Sequence, residues 1–223
     1  MNRLRTMLDT RDQIQKIRVR FGNRIDAVIR EVDTYDEQSL ELLQRYYSEF
    51  LNLERQLDAD IANQLKDESI YEALISIKGI GPKLAAKLLA LIDIRRADTV
   101  SALWRYAGYA VIDGKSEQPT RGEKLHYNKR LKTACYLIAK SFLSSDSPYR
   151  RVYDEAKVHY EKSRPGWTKM RRHLAAMRKM VKVFLSHLWV RWRELEHLPV
   201  SKPYPIDILQ HNTYYHPEEF GWS

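Results

Sequence analysis

Apolar residues recur every three or four positions through most of the chain, the period of an amphipathic helix. In the first segment the stripe runs Leu4, Met7, Ile14, Phe21, Ile25, Val28 and Val32, with Arg11 and Arg18 standing in two of its positions. In the second it runs Leu40, Leu43, Tyr47, Phe50, Leu57 and Ile61, with Glu54 in one. A stripe this narrow and regular is a heptad seam. Between the segments, Thr34 followed by Glu37 resembles a capping box that restarts the helix. Residues 1–66 are therefore predicted to form two long helices folded back as an antiparallel coiled-coil pair. Such a pair leaves the outer sides of its tyrosines and leucines uncovered. We expect a homodimer or higher homo-oligomer through this region, with the seam arginines fixing its register. The alternative is that the pair packs on its own following domain.

Around residue 80 the pattern changes. Ile70, Leu74 and Ile77 share one helical face, and Leu84, Leu88 and Leu91 share another. Between them lies Lys78-Gly79-Ile80-Gly81-Pro82-Lys83. Two glycines around one isoleucine permit backbone angles closed to other residues. Pro82 suits the first turn of a helix, where its missing N–H costs nothing. The reading is helix, short hairpin, helix. The amides of Gly79, Gly81 and Lys83 would point out of a helix N-terminus, which favours an anion. Lys83 and Lys87 lie one turn apart beside it. A nucleic-acid phosphate fits this arrangement, and Lys78, Gly79, Ile80, Gly81, Lys83 and Lys87 are its candidate residues. A tight turn between two core helices, with no ligand, fits the same residues.

Further helices follow. Asp98 or Thr99 is placed to cap one carrying Val100, Leu103 and Trp104, and Gly108 to end it. Tyr109 to Lys124 is a polar connection, and loops of this length are often functional. It carries Lys115, Ser116, Arg121 and Lys124. The next helix turns Leu131, Cys135, Ile138 and Phe142 inward and opens with Asn128, Lys129 and Arg130. This basic loop and helix start form a second candidate backbone contact, or else a solvated face. Pro148 to Arg151 opens another helix, which Ser163 to Gly166 breaks. Thr168 caps a last long helix with an inward stripe of Leu174, Met177, Val181, Leu185, Leu188 and Trp192. Its other face carries Lys169, Arg171, Arg172, Arg178, Lys179, Lys182, Arg191 and Arg193. Of these, Arg171, Arg172, Arg178 and Lys179 are candidates to lie along phosphates. Trp189 and Trp192 are expected in the core. Residues 201–223 read as a Pro- and aromatic-rich tail that docks on the domain or on a neighbour. The fold class is thus all-α: a heptad hairpin at 1–66, a basic helix-hairpin-helix domain at 67–200, and the tail.

Composition sharpens the functional reading. The formal net charge is +9, but it is segregated. Residues 1–78 hold 12 Lys+Arg against 15 Asp+Glu, residues 79–200 hold 25 against 11, and residues 201–223 hold 1 against 3. The positive field begins at the hairpin and stops at the tail, the footprint of a nucleic-acid-binding domain. Cys135 is the only cysteine, so neither an internal disulfide nor a cysteine-based metal site is expected. His211 and His216 lack further ligands for zinc. No cofactor or metal is expected, and no membrane association. The N-terminus runs into charged residues, so a cytoplasmic protein is expected.

Four stretches come in a recognisable order: Ile77 to Leu89, Asp93-Ile94-Arg95-Arg96, Trp104-Arg105-Tyr106-Ala107-Gly108, and Asn128-Lys129-Arg130-Leu131. With the heptad hairpin before them they resemble the C-terminal part of the DEDD-type insertion-sequence transposases, the IS one-ten group of bridge-RNA-guided recombinases. The resemblance spans roughly residues 1 to 197. It implies DNA, or a structured RNA, as partner. In that family a separate RuvC-like domain supplies four metal-holding acidic residues, and that domain lies outside the resemblance. The family's serine nucleophile falls in the loop after the Tyr-Ala-Gly segment, where Ser116 stands. Here Glu117 follows the serine where the family usually has glycine, and the spacing to Asn128 is about two residues shorter. The resemblance therefore implies two alternatives. One is a nucleic-acid-binding protein, not catalytic alone. The other is an active recombinase subunit using Ser116, with the acidic RuvC-like domain supplied in trans.

Overall fold

A computed structural model of the chain describes residues 3–30, 36–112, 115–116, 122, 124–200 and 215–222. The chain divides into two compact units, Met1–Asp67 and Glu68–Ser223. Among the described residues the fold is all-α apart from one ladder of two two-residue strands.

In the first unit α1 (Arg3–Arg30) and α2 (Glu37–Leu65) run antiparallel. Every residue of the predicted stripe that is described is buried or half-buried, while most flanking positions are exposed. Phe21 packs against Phe50 and Tyr46, with ring centroids 5.4 and 6.0 Å away. The polar residues in the seam find one another. Arg11 donates to both oxygens of Asp58 at 2.9 and 3.0 Å and lies 3.2 Å from Glu54. Arg18 donates to Glu54 at 2.6 Å and to the Tyr47 hydroxyl at 2.9 Å. Arg11 and Glu54 are 7% and 3% exposed, so the pairing is a buried one. One expectation is corrected here. The N-cap of α2 is Asp36, whose carboxylate accepts from the Gln38 N–H and the Ser39 hydroxyl. The cap is therefore not the Thr34–Glu37 box, and Thr34 lies outside the described residues.

The second unit is built around α8 (Lys169–Leu195). It packs on α3 (Ser69–Ile75), α5 (Val100–Tyr106), α6 (Lys129–Ser144), α7 (Arg150–Ser163) and the 3-10 turn Ile94–Arg96. Between α3 and α5 lies α4 (Pro82–Leu91), which packs on α3 and α6. The caps expected at Thr99 and Thr168 form: their hydroxyls accept from the Ala102 and Arg171 N–H groups. The core is aromatic. Phe142 stacks on Tyr149 at 4.7 Å, and Phe184 meets both edge-on. Trp189 is fully buried and donates to Ala97 O. Two expectations for α8 fail. Leu174, placed in the inward stripe, is 47% exposed. Arg193, placed on the charged face, is 5% exposed, and its guanidinium donates to the carbonyls of Pro199, Ile94 and Ala97. It satisfies loop carbonyls that would otherwise be left bare in the core.

The described end of the tail docks on its own domain. Tyr215, Phe220 and Trp222 are buried. Trp222 Nε1 donates to the Tyr149 hydroxyl (2.7 Å), which lies 2.7 Å from His187 Nδ1, and His187 Nε2 lies 2.9 Å from Tyr215 O. A neutral imidazole satisfies this chain: Tyr149 donates to Nδ1, and Nε2–H donates to the carbonyl. Burial lowers the His187 pKa to about 4. An unfolded histidine takes its proton near pH 6.5. Folding stability supplied by the neutral ring is therefore complete above about pH 6.5 and lost as pH falls toward 4, on the order of 3 kcal/mol. Urea midpoints measured between pH 7 and 4 should fall in that window, and His187→Gln should flatten the dependence. A slope unchanged by the substitution would assign it to other groups.

Among the described residues no helix is long and apolar enough to cross a membrane.

Candidate nucleic-acid interface

The turn between α3 and α4 spans residues 76–81. Ile77 and Ile80 are buried beneath it, and Ile77 O accepts from the Ile80 N–H at 2.9 Å. The two glycines do different jobs. Gly79 has φ +101°, and a Cβ there would lie 2.7 Å from Ser145 Oγ and 2.9 Å from a Phe142 ring carbon. Its carbonyl accepts from the Ser141 hydroxyl at 2.6 Å. The close backbone approach that glycine permits at this position is toward the chain's own α6. Gly81 is the other kind. It is exposed, φ is −89°, and a Cβ would meet nothing within 4 Å. It is the N-cap of α4, so the open end of that helix begins here.

Lys83 and Lys87 lie half-buried along α4. Lys78 is exposed on the turn and borders a shallow groove of about 570 Å³ with Arg150 and Arg151. Asp146, Asp154 and Glu155 line the same groove and pair with those arginines, so the field beside Lys78 is mixed.

The loop after α5 begins at Gly108, φ +76°, where a Cβ would strike the Tyr127 ring and Lys132 Cδ. It then enters a short antiparallel ladder of Val111–Ile112 with Lys115–Ser116, in which Val111 pairs with Ser116. The backbone of Lys115 and Ser116 is placed, but their side chains lie outside the described part, as does Arg121. Lys124 is exposed. Asn128 is the N-cap of α6: its carboxamide oxygen accepts from the Arg130 and Leu131 N–H groups, and its Nδ2 donates to the Tyr106 hydroxyl. Lys129 and Arg130 stand exposed at the helix start, and Lys132 lies over the Tyr127 ring at 4.3 Å.

On α8, Arg171 is exposed with its guanidinium 4.5 Å from the Trp167 ring centroid. Arg172 donates to Trp167 O and lies 3.5 Å from Glu161. Arg178 and Lys179 are half-buried. Lys182 is half-buried over Trp104, and burial lowers its pKa.

The Gly79 turn sits against the last turn of α6, while Lys129 and Arg130 open that helix. The helix has 16 residues. At about 1.5 Å per residue its ends are about 22 Å apart. The two candidate contacts are therefore separate, spaced by roughly six base-pair steps of a duplex. Among the described residues no group of three His, Cys, Asp or Glu is placed to hold a metal ion.

What the sequence reading missed is a cluster on α6, α8 and the loop before α6. Tyr127, Tyr136, Lys132 and the exposed Leu174 line one groove with Arg178. The only hint in the sequence was the recurrence of tyrosine near the predicted basic loop.

Helix pairs joined by a tight turn and followed by a basic loop and helix define a region that a family model also picks out. Residues 71–154 match the model of the Transposase IS116/IS110/IS902 family. The match is consistent with the C-terminal part of an IS110-type transposase and runs from Tyr71 in α3 to Asp154 in α7. It takes in the 76–81 turn, the loop bearing Ser116 and all of α6. No curated protein and no solved structure matches the chain.

Proposed function

We propose that the chain is a cytoplasmic DNA-binding protein related to the C-terminal part of these transposases, and that it grips phosphate backbones through the hairpin at Lys78–Lys87 and the basic helix starts. One observation carries the reading. α4, α6, α7 and α8 all have Lys or Arg in the first turn and no acidic residue there. The helix dipole disfavours cations at that end, typically by about 0.3–1 kcal/mol each. Cations set against the dipole raise the potential at these helix starts, but Asn128 and Thr168 already cap amides of α6 and α8, and Arg150 and Arg151 of α7 are ion-paired. The start of α4 and the exposed Lys129 and Arg130 of α6 therefore offer a phosphate the most. The unit Met1–Asp67 serves self-association in this reading. Ile17, Val19, Leu42 and Leu53 are exposed along it, apolar side chains on more than one face that self-association would cover in part.

The test is binding of a labelled duplex of about 20 base pairs as salt is raised from 50 to 200 mM. Affinity should fall at least tenfold, as expected when several phosphates are neutralised. Flat salt dependence, or no binding at 50 mM, removes the reading and leaves a helical protein whose turn only redirects the chain. A second reading retains catalysis, with Ser116 attacking DNA when an acidic domain joins in trans. The family match spanning Ser116 favours it. A covalent protein–DNA adduct, lost in Ser116→Ala, would establish it.

A further inference from the structure

We propose that the groove between α6 and α8 holds an unpaired nucleotide, its base among the tyrosines and its phosphate on the cations at the start of α6. The proposal rests on the DNA-binding reading and names the part of the ligand that one site takes.

The groove encloses about 590 Å³. That lies within the range of about 300–1,000 Å³ usual for ligand clefts. Its lining divides by chemistry. Met177 and Val181 of α8, both buried, form an apolar floor. Tyr109, Tyr127 and Tyr136 supply aromatic surface, and Lys129, Lys132 and Arg178 supply charge. None of the twelve described lining residues is acidic. The contrast is with the groove beside Lys78, which holds three carboxylates. An occupant must therefore be both flat or apolar and anionic.

The walls are fixed by the fold. Gly108 exists in a left-handed conformation that lets Tyr127 and the Lys132 stem press on the backbone. Lys132 holds its ammonium over the Tyr127 ring. Tyr109 is 9% exposed, and burial raises its pKa, so it offers a neutral phenol. At the rim, Tyr136 and Leu174 are 46% and 47% exposed, large side chains partly open to solvent. Arg171, Leu174 and Arg178 follow one another at i, i+3 and i+7, so a cation flanks the rim residue on each side along one face of α8. Aromatic surface interleaved with cations is the chemistry that binds single-stranded nucleic acid. A base stacked inside a duplex cannot enter such a cleft. An unpaired or extruded one can.

The experiment compares three ligands at 50 mM salt by fluorescence anisotropy. They are a single-stranded oligonucleotide, the same length of abasic backbone, and a duplex. One stacked base is worth roughly five- to hundredfold in affinity. The natural strand should bind at least fivefold tighter than the abasic strand of equal charge. Tyr136→Ala, at an exposed position, should close that gap and leave duplex affinity unchanged, while Tyr136→Phe should preserve it. Equal binding of natural and abasic strands overturns the proposal and leaves the phosphate reading standing. Failure to bind any of the three removes both. If Tyr136→Ala leaves the gap and instead changes self-association in sedimentation, the groove is a protein contact and the proposal is wrong.

Discussion

Replacing Glu54 by alanine should destabilise the first unit by about 3 kcal/mol, the low end of the cost of stranding a buried charge. Glu54 is the shared acceptor between two guanidiniums that the seam holds away from water. Without it, Arg18 keeps the Tyr47 hydroxyl, and Arg11 keeps Asp58 and Gln15. Two cations, two turns apart on α1, would then lie along the apolar seam, with Asp58 bonded to Arg11 alone. Burial opposes the Arg11 charge, yet its hydrogen bond with Asp58 and the charges of Asp58 and Glu54 raise its pKa overall. Neither arginine sheds its proton to escape the cost. Replacing the triad together, Arg11→Leu, Arg18→Met and Glu54→Leu, should cost little or stabilise, because each charge is desolvated only to be paired. What the triple variant should lose is register, since a purely apolar seam can slip by a heptad. All five tryptophans lie beyond residue 100, so their fluorescence follows the second unit. The shift should therefore be read as a lower urea midpoint in far-UV circular dichroism. An unchanged midpoint for Glu54→Ala would mean the carboxylate is solvated, not buried.

That triad was half legible: the polar positions inside the apolar stripe stand out, but the arginines expected to fix the register of an oligomer pair instead with Glu54, Asp58 and Tyr47 of the same chain. Arg11, Arg18 and Glu54 announce themselves by position alone. Helix caps were legible where the side chain bonds two or three residues on, as at Thr168 and, of the pair Asp98 and Thr99, at Thr99; Asn128 reads from the sequence as a backbone contact and is the cap of α6. What stayed hidden depends on residues far apart in sequence. Arg193 reads as a surface cation until α8 lies against Ile94 and Ala97, about a hundred positions earlier. Leu174 continues the apolar period into the first turns of α8, beyond the reach of the core. The groove of Tyr127, Tyr136 and Arg178 gathers side chains from two helices and a loop, none of them part of a local pattern. The function of Gly79 was hidden for the same reason: its reason for being glycine is Phe142 and Ser145, more than sixty residues later.

Gly79 and Gly81 should accordingly give opposite results. Gly79→Val places a β-branched side chain at φ +101° and drives it into Ser145 and Phe142. Backbone strain and overpacking each cost about 1–3 kcal/mol, so a loss of about 3 kcal/mol is expected. Tryptophan fluorescence should report it as an earlier unfolding transition. DNA binding lost in this variant would therefore say nothing about a ligand at the turn. Gly81→Asp separates the two questions. The position is open, its backbone angles suit any residue, and aspartate is at least as good an N-cap as glycine. Stability should stay within about 0.5 kcal/mol of the native chain. The new carboxylate would take the α4 amides for itself and repel a phosphate, so duplex affinity should fall about tenfold, or about 1.4 kcal/mol. Native affinity in Gly81→Asp would exclude the end of α4 as a phosphate site and shift the grip on a duplex to Lys129 and Arg130 at the exposed start of α6.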